Sequence, residues 1–591
     1  MVSYKLVIRF LSFVFFTLSS GIASSQKIYK NWNPAMDTAI LLNGQAWPKE
    51  VKNYYDRLPA RAASKVRKDV WDLSENSAGT FLRFRTDAKE ILVKLKVTGS
   101  LQLPHMPATG VSGVDLYARN SDGQWLWCGG KFSFGDTITY QFNDLLAKDQ
   151  YINDREYTLY LPLYNGVRWL EVSVPAESNF AVMPVSQEKP LVVYGTSIAQ
   201  GACASRPGLA WTSILGRHLD QPVINLGFSG NGRLEKEVLD LVGEVDAKLY
   251  VLDCLPNLTS KEISPAALKN LIRSAILQLQ SKRAGVPILL VEHDGFTGDA
   301  VDPNRQSAIE NVNKAQKELY DSLLLKKVKD IYYLSKKEID QDIESMVDGI
   351  HPNDLGMMKY ALAYEKKIRL IFNEPAGTLT TTIPVTQHRD GAIYDWVKRH
   401  EEILARNKTQ MPQTVLIGNS ITHYWAGLPT APIARGVNSW SKYFGLGEST
   451  NMGFGWDRIE NVLWRVYHGE LEGISPKNIV LMIGTNNIGY NSDREIAEGL
   501  KFLVNAIRVR QPKAKLLVMG ILPRRESEKR VAGLNALIAK NFSSTPVKFA
   551  DAGKLFIKKG GQIDESLFSD GLHPNEKGYE KLGAFIGAAL H

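Results

Sequence analysis

The sequence predicts an α/β protein in which a β-sandwich domain precedes two flavodoxin-like domains, each a parallel sheet flanked by helices. Three observations lead to this fold class. Short, partly alternating apolar runs fill the first third of the chain, and strands alternate with helical stretches in the two blocks that follow. Both blocks begin with the same pattern, "VVYGTSIAQG" and "VLIGNSITHY". At 591 residues the chain is too long for one core.

The β-sandwich domain is expected over residues 26–185. The runs that predict its strands are "TFLRFRT", "EILVKLKV", "VDLYAR", "QWLWCGGKFSF", "REYTLYLPLY" and "RWLEVSV". Gly, Asn, Asp and Ser separate them, and no helical period lasts long in this region. Packing two antiparallel sheets is the simplest way to bury such strands.

The two α/β domains are expected over residues 186–374 and 391–591. Strands of the first are predicted at "LVVYG", "VINLG", "KLYVLDC", "PILLVE" and "IYYL". Those of the second are predicted at "TVLIG", "STNMGFG", "NIVLMIG", "AKLLVMGIL" and "VKFAD". The second block approximately repeats the first, which indicates a duplicated domain. Between them, residues 375–390 contain the Thr-rich stretch "PAGTLTTTIPVTQ" and are predicted to be a linker.

Residues 1–25 are predicted to be a signal peptide. Lys5 and Arg9 form a basic start, "FLSFVFFTL" is a short apolar run, and small residues favour cleavage between Ala23 and Gln26. We therefore expect a secreted or periplasmic protein. The cleavage site has no Cys, which argues against a lipid anchor, and no other run reaches the roughly 18 apolar residues of a membrane span.

Charge and cysteine content exclude other classes. The net charge is +9, but Lys and Arg form no stripe with interleaved aromatic residues, so a nucleic-acid partner is not expected. The three cysteines, Cys128, Cys203 and Cys254, cannot form a disulfide framework. One bridge is possible in an oxidising compartment, and Cys203–Cys254 is the first pair to test. No CxxC spacing indicates a metal site. The oligomeric state does not follow from the sequence.

Two serines stand at the end of the first strand of each α/β block. Ser197 and Ser420 lie on the turn from that strand to the next helix. Functional groups of a doubly wound sheet gather at the carboxyl ends of its strands, and a helix N-terminus favours a developing negative charge. A single Ser here would be weak evidence, because Ser is also a common helix N-cap.

An Asp-x-x-His pair stands near the end of each block. "DGIHPNDLG" contains Asp348 and His351, and "DGLHPNEKG" contains Asp570 and His573. In each block the His lies just over 150 residues after the Ser. A His oriented by an Asp can take the proton of a serine, which is otherwise a poor nucleophile. Asp and His could also ligate a metal, but no third or fourth ligand recurs, so none is predicted.

Donors for an oxyanion follow the second and third strands. "NLGFSGNG" and "NMGFGWDR" follow the second strand, and "LDCLPN" and "IGTNN" supply Asn257 and Asn486 after the third. An Asn amide and two backbone N–H groups suffice to stabilise a tetrahedral oxyanion. Taken alone, each of these stretches is more often a plain turn.

The ordered set Ser, Gly, Asn, Asp-x-x-His resembles the SGNH (GDSL-type) hydrolases, and it occurs twice. The resemblance implies a Ser nucleophile, an Asp–His pair that activates it, and an oxyanion hole made by the N–H of the Ser, a Gly N–H and the Asn side chain. The implied catalytic residues are Ser197, Asp348, His351, Ser420, Asp570 and His573. The implied oxyanion-hole residues are Gly230, Asn257, Trp456 and Asn486. Trp456 stands where the family has Gly, and only its backbone N–H is needed.

Two further stretches refine the resemblance. "NVLWRVYHGELEGISPKNIVLMIGTNN" resembles the catalytic subunit of the intracellular platelet-activating-factor acetylhydrolase and its bacterial carbohydrate-esterase relatives. "GVDLYAR" resembles the β-rich GxDLY module that accompanies one branch of bacterial SGNH hydrolases. That module could bind substrate or cover the mouth of the active site. "LDCLPN" departs from the family's usual Gly-x-Asn-Asp, which bears on Asn257.

The expected function is that of a serine esterase with two active sites, which removes O-acetyl groups from carbohydrates such as plant polysaccharides or sialic acid. This chemistry needs no cofactor and no metal. A lipid or thioester acyl hydrolase is the alternative within the enzymes, and a glycan-binding protein with silent hydrolase domains is the alternative outside them. Residues 292–294, "EHD", are a further candidate for lining the first pocket.

Overall fold

The structure, a computed structural model, describes residues 27–145, 154–260, 263–445 and 447–590. The predicted signal peptide, residues 1–25, lies outside the described residues. The fold is the α/β arrangement expected from the sequence, with an antiparallel β-sandwich followed by two parallel sheets. No helix within the described ranges has the length and apolar character that crossing a membrane requires.

The sandwich domain packs two antiparallel sheets face to face. Their strand orders are β1-β10-β4-β8-β7 and β11-β3-β9-β5-β6, with β2 beside β3. The strands are β1 (Tyr29–Trp32), β2 (Leu42–Asn43), β3 (Phe81–Thr86), β4 (Ile91–Val97), β5 (Asp115–Arg119), β6 (Trp125–Cys128), β7 (Lys131–Ser133), β8 (Ile138–Phe142), β9 (Arg155–Tyr160), β10 (Val167–Pro175) and β11 (Phe180–Val182), and the helices are α1 (Lys68–Ser74) and α2 (Ala108–Val111). Alternate residues of β3 and β4, among them Phe84 and Val93, face the shared core, as the period of two predicts.

The first α/β domain has a five-stranded parallel sheet of order β13-β12-β14-β15-β16. Its strands are β12 (Leu191–Gly195), β13 (Val223–Gly227), β14 (Leu249–Asp253), β15 (Ile288–Val291) and β16 (Ile331–Leu334). Its helices are α3 (Ser197–Gln200), α4 (Trp211–Leu219), α5 (Lys236–Val242), α6 (Pro265–Lys282), α7 (Pro303–Leu325), α8 (Lys336–Ile339) and α9 (Asp354–Phe372). The strands are almost entirely buried because helices cover both faces.

The second α/β domain repeats this topology with the order β18-β17-β19-β20-β21. Its strands are β17 (Thr414–Gly418), β18 (Ser449–Gly453), β19 (Asn478–Met482), β20 (Lys515–Met519) and β21 (Lys548–Ala550). Its helices are α10 (Trp396–Asn407), α11 (Ser420–His423), α12 (Val437–Phe444), α13 (Ile459–Tyr467), α14 (Asp493–Arg510), α15 (Glu528–Phe542) and α16 (Glu576–Leu590). In both sheets the first strand lies between the second and third, so the loops after all three meet at one edge.

The "GVDLY" motif joins the sandwich to the first α/β domain. Asp115 is buried and accepts hydrogen bonds from Trp127 Nε1 at 2.8 Å and from the backbone N–H of Gly208 at 3.0 Å. Arg206 forms an ion pair with Asp115 and donates a hydrogen bond to the Tyr117 hydroxyl at 2.7 Å. The motif therefore holds the loop that leads from α3 to α4.

The segment 375–390, predicted as a linker, is largely folded against its neighbours. Thr381 is fully buried and donates a hydrogen bond to the Glu495 carbonyl at 2.9 Å. His388 N–H donates to the Ser121 carbonyl of the sandwich at 2.8 Å, and Arg389 forms an ion pair with Asp122. This segment thus anchors the second α/β domain to the sandwich.

A cavity of about 1370 Å³ lies where the three domains meet. It is lined by charged side chains of all three, among them Arg83, Lys248 and Glu401. None of the predicted site residues lines it. Although it is large, this cavity is therefore separate from the predicted Ser–His sites.

The Cys203–Cys254 bridge, which the sequence left open, does not form, because all three cysteines are free and buried. Cys203 follows α3 and directs Sγ to the His105 carbonyl at 3.4 Å. Cys254 follows β14 and directs Sγ to the Tyr194 carbonyl at 3.5 Å, within a different hydrophobic cluster. The two side chains therefore point into different parts of the core.

A buried arginine covers the open edge of the first parallel sheet. Strand β13 is an edge strand, so alternate carbonyls of its outer side lack a strand partner. Arg57, from the sandwich domain, donates Nη1 to the carbonyls of Asn225 at 3.0 Å and Gly227 at 2.8 Å. Its other donors reach carbonyls of Leu73 and Asn76. Burial lowers the pKa of Arg57 to about 9.

In the second sheet, a buried arginine from a different part of the chain likewise donates to the carbonyls of the edge strand. Arg399, on α10 of the second α/β domain itself, donates Nε to the Gly453 carbonyl at 2.8 Å and Nη2 to the Asn451 carbonyl at 3.0 Å on the edge strand β18. Burial lowers its pKa to about 10. Each guanidinium also lies over an aromatic ring, Arg57 over Phe228 and Arg399 over Phe454.

We expect Arg57→Met and Arg399→Met each to destabilise the protein. Each substitution leaves buried carbonyls without a donor, at about 1–3 kcal/mol per carbonyl. Denaturant titration followed by circular dichroism should show an earlier midpoint for both variants. Arg494→Met is the matched control, because Arg494 is exposed and pairs only with Glu498 on the same helix. An unchanged midpoint in both buried variants would contradict this account.

Candidate active site

The local sequence explains how each serine is presented. In "GTS" and "GNS" the middle residue is the helix N-cap: Thr196 Oγ1 accepts the N–H of Ile198 at 3.4 Å, and Asn419 Oδ1 accepts the N–H of Ile421 at 2.9 Å. The Ser is then the first helical residue, whose N–H has no acceptor within the helix. A Cβ on Gly418 would lie 2.2 Å from Thr422 Oγ1, so the preceding Gly lets the helix approach the strand.

In the first domain, called site 1, the predicted Ser, His and Asp lie together. Ser197 Oγ is 2.9 Å from His351 Nε2, and His351 Nδ1 is 2.7 Å from Asp348 Oδ2. The other Asp348 oxygen accepts the backbone N–H of His351 at 2.8 Å. The imidazole is thus held in one orientation, with one nitrogen toward the hydroxyl.

In the second domain, called site 2, the geometry is nearly the same. Ser420 Oγ is 2.8 Å from His573 Nε2, and His573 Nδ1 is 2.8 Å from Asp570 Oδ2. The backbone N–H of His573 donates to Asp570 Oδ1 at 2.8 Å. Both serines are buried to more than nine-tenths, whereas both aspartates are partly exposed. Each group of Ser, His and Asp is therefore accessible to solvent on the side of its aspartate.

The electrostatics keep both carboxylates ionised. Burial opposes ionisation, but the hydrogen bonds from the His351 ring and backbone lower the pKa of Asp348. At site 2, burial is again outweighed by the backbone and ring N–H groups of His573, and the pKa of Asp570 falls to about 2. Burial lowers the pKa of His573, against the opposing effect of Asp570. At neutral pH His573 is therefore neutral, with a lone pair available.

The predicted oxyanion-hole residues of site 1, Gly230 and Asn257, lie on neighbouring loops joined by a hydrogen bond. Gly230 has a left-handed backbone with φ of 69°, and a Cβ placed on it would meet nothing within 4 Å. Asn257 Oδ1 accepts the N–H of Gly232 at 3.0 Å, which fixes the amide and leaves Nδ2 as its donor group. The Gly230 loop and the Asn257 side chain are therefore held together.

Site 2 reproduces this backbone with a tryptophan. Trp456 has φ of 63°, close to the value at Gly230, although a bulky residue rarely adopts this conformation. Asn486 Nδ2 donates to the Asp457 carbonyl at 3.0 Å, and an amide NH₂ carries a second hydrogen. Strain of this kind, about 1–3 kcal/mol, clusters at functional sites. The Trp456 side chain is 37% exposed beside the site.

Two asparagines whose role the sequence did not reveal connect the serine helix to the end of the edge strand. Asn225 Nδ2 donates to the Ala199 carbonyl at 2.7 Å, and its Oδ1 accepts the N–H of Gly227 at 2.9 Å. Asn451 does the same in site 2 with the Thr422 carbonyl and the N–H of Gly453, both at 2.8 Å. The sequence did contain a signal for this role, because the two asparagines occupy equivalent positions in "NLG" and "NMG".

The rings above the two histidines differ. His105, from the sandwich domain, stacks on His351 with ring centroids 5.6 Å apart. Tyr424 lies 5.7 Å from His573, and Arg435 pairs with Asp570 Oδ2 at 3.3 Å. Tyr424 is four residues after Ser420, one helical turn, and this spacing could have identified it. No sequence signal connects His105 to His351.

The "EHD" candidate, residues 292–294, is engaged in other contacts. Glu292 accepts hydrogen bonds from the Tyr333 hydroxyl at 2.7 Å and the Lys336 N–H at 2.6 Å. His293 Nδ1 accepts the N–H of Gly295 at 3.0 Å, and the side chains of His293 and Asp294 are buried. These contacts give Glu292 and His293 a structural role at the end of strand β15.

The fold and the two sites together define a class of protein: an α/β acylhydrolase of the SGNH/GDSL type. The chain belongs to the GDSL-like lipase/acylhydrolase family. Two profiles of that family match, over residues 188–369 and 416–581. A third profile, the GxDLY N-terminal region of SGNH-type esterases, matches residues 29–180. The chain is therefore an esterase or acylhydrolase with a GxDLY region before it.

Individual relatives agree with this assignment. Platelet-activating factor acetylhydrolase IB subunit alpha1 of Bos taurus is 32% identical over 192 residues, which cover 31% of this chain and 77% of that protein. The alpha2 subunit of Rattus norvegicus is 31% identical over 192 residues, 32% of this chain and 80% of its own length. A crystal structure described as a GDSL-like lipase from Bacteroides ovatus is 30% identical, with a TM-score of 0.53, and covers 58% of this chain and 98% of its own.

Proposed function

We propose that the protein is a secreted or periplasmic serine esterase with two active sites that removes O-acetyl groups from carbohydrates. The observation that carries the proposal is the twofold occurrence of Ser Oγ within 2.9 Å of a His Nε2 whose Nδ1 is held by Asp. In this role Ser197 and Ser420 are the nucleophiles, and His351 and His573 are the general bases. Asp348 and Asp570 orient the imidazoles and stabilise their charged form.

The mechanism follows from this geometry. The His Nε2 takes the Ser proton as Oγ attacks the acetyl carbonyl, and the tetrahedral oxyanion forms beside the loop of Gly230 or Trp456. The N–H groups of the Ser and of that loop, with Nδ2 of Asn257 or Asn486, stabilise the negative charge. His then gives its proton to the leaving alcohol. A water activated by the same His releases acetate from the acyl-enzyme.

Acetyl as the acyl group is supported by the relatives, which are named as acetylhydrolases. A carbohydrate as the alcohol is supported by exposed aromatic rings at site 2. Trp456 is 37% exposed next to the oxyanion loop, and Tyr490 is 60% exposed with Arg458 3.6 Å from its ring centroid. Flat exposed rings of this kind pack against apolar faces of sugars, whereas a lipid substrate needs a continuous apolar groove.

The substrate class is tested by acetate release from acetylated xylan, pectin and O-acetyl sialic acid, compared with acyl lipids and acyl thioesters. We expect turnover of at least one acetylated carbohydrate. Turnover confined to lipids or thioesters would support the alternative acyl hydrolase. Binding of glycans without any hydrolysis would support the second alternative, a glycan-binding protein.

We expect the two sites to work independently. Ser197→Ala should silence site 1 and Ser420→Ala site 2, because losing the nucleophile costs on the order of 10⁶ in turnover. Acetate release by each single variant should therefore come from the other site, and the double variant should be inactive. A single variant as inactive as the double on every substrate would instead point to one silent domain or a composite site.

The pH profile of site 2 can be measured in the Ser197→Ala variant. Protonation of His573 removes the base, and its pKa lies below the ordinary value of about 6.5 because the ring is buried. The acid limb of kcat/KM on an activated acetate should therefore lie below pH 6.5. Asp570, with a pKa of about 2, stays ionised throughout this range. An acid limb at or above pH 6.5 would contradict the assignment of His573.

The Trp456→Gly substitution, made in the Ser197→Ala background, tests whether the Trp456 ring contacts the carbohydrate without changing the catalytic groups. The backbone N–H remains and glycine adopts φ of 63° without strain. If the ring packs against sugar, kcat/KM on acetylated carbohydrate should fall by about 2–10-fold, with a smaller change on a small activated acetate. Equal effects on both substrates would show that the ring does not contact the carbohydrate.

A further inference from the structure

Four metal-ligating side chains converge at site 1. They are His105 from the sandwich domain, Cys203 after helix α3, and the Asp348–His351 pair. One donor atom from each lies within 4.8 Å of the donor atoms of the other three. Cys203 is buried, with its Sγ 3.4 Å from the His105 carbonyl. One thiol, two imidazoles and one carboxylate, contributed by two domains, thus lie next to one another.

This donor set matches the preferences of Zn²⁺. The ion takes four ligands in a tetrahedron from Cys sulfur, His nitrogen and carboxylate oxygen, at about 2.0–2.3 Å. Donors of such a tetrahedron lie about 3.3–3.8 Å apart, so the set would contract by about 1 Å. The hard cations Mg²⁺ and Ca²⁺ prefer oxygen ligands and octahedral or larger shells, which this set does not offer.

Site 2 has no equivalent set. Cys203 lies six residues after Ser197, and the residue six after Ser420 is Ala426. The ring above His573 is Tyr424, which replaces the imidazole of His105. Across the part of the chain that the structure describes, no second group of three or more such ligands occurs. The two sites of one molecule therefore differ in the metal-ligating side chains that they carry.

We propose that site 1 binds Zn²⁺ through His105, Cys203, Asp348 and His351, and that the bound ion reversibly inactivates Ser197 while leaving site 2 active. A neutral imidazole has one nitrogen with a free lone pair, and the other nitrogen carries the proton. Coordination of either His351 nitrogen occupies that lone pair, so the ring cannot accept the Ser197 proton. Inhibition of site 1 by Zn²⁺ would regulate the esterase function proposed above, so this part rests on that function. Binding of Zn²⁺ at site 1 does not rest on it.

Binding is tested without any activity measurement. Purified full-length protein is titrated with Co²⁺ as the probe, and thiolate coordination gives a charge-transfer absorption band in the near ultraviolet. We expect this band in the unmodified protein, its loss in Cys203→Ser, and its displacement by Zn²⁺ but not by Mg²⁺. Cys128→Ser is the matched control, because Cys128 is a buried free cysteine of the sandwich. A band that persists in Cys203→Ser would overturn the site.

A second variant guards against misfolding of Cys203→Ser. His105→Gln removes one imidazole from a loop of the sandwich and should weaken Zn²⁺ binding, measured by calorimetry, by about 10–100-fold or more. Unchanged affinity in a folded His105→Gln protein would also overturn the site.

Inhibition is tested with the two single-site variants, each compared with its own metal-free rate. Acetate release by Ser420→Ala, which retains site 1, should fall about tenfold or more in micromolar Zn²⁺ and recover with EDTA. Release by Ser197→Ala, which retains site 2, should stay the same. Equal inhibition of both would overturn the selectivity. If neither variant is active, the proposed function fails, and the Co²⁺ band still decides the metal site.

Discussion

The unpaired carbonyls of an edge strand are the constraint on which both sites depend. The loop that carries Gly230 or Trp456 follows directly from the strand at the edge of each parallel sheet, so that strand must be held although one side has no strand neighbour. A buried guanidinium supplies the missing donors, Arg57 on β13 and Arg399 on β18. Carbonyl dipoles stabilise the charge of Arg57, which is why a cation without a carboxylate partner is tolerated there.

The two sites share some structural features and differ in others. The Ser–His–Asp hydrogen bonds agree within about 0.1 Å between the domains, and the loop residues Gly230 and Trp456 share a left-handed backbone. Side chains that do not contact the reacting atoms diverge: a histidine lies above one imidazole and a tyrosine above the other. At these positions the backbone conformation is therefore more similar between the two domains than the residue type is.

The sequence was informative wherever a feature is local. The ten strands of the two parallel sheets lie within the apolar runs that predicted them. The repeated order of Ser and Asp-x-x-His picked out side chains that the structure brings within hydrogen-bond distance of one another. Strand β8 in the sandwich, which alternates buried and half-buried residues, was not predicted. Arg57 and His105 could not be found either, because their partners lie far away in sequence and only tertiary packing brings them together. The sequence also left open whether Cys203 and Cys254 pair, because pairing depends on where tertiary packing places the two side chains.

The different origins of Arg57 and Arg399 have a consequence for biosynthesis. The second α/β domain carries its own edge-strand donor on α10, whereas the first receives its donor from the sandwich domain. Translation runs from the N-terminus, and domains generally fold in that order. Arg57 is therefore synthesised before β13, and it is already present when the edge strand leaves the ribosome. Placing the sandwich sequence after the first α/β domain would reverse this order and leave that edge without Arg57 until the sandwich is synthesised.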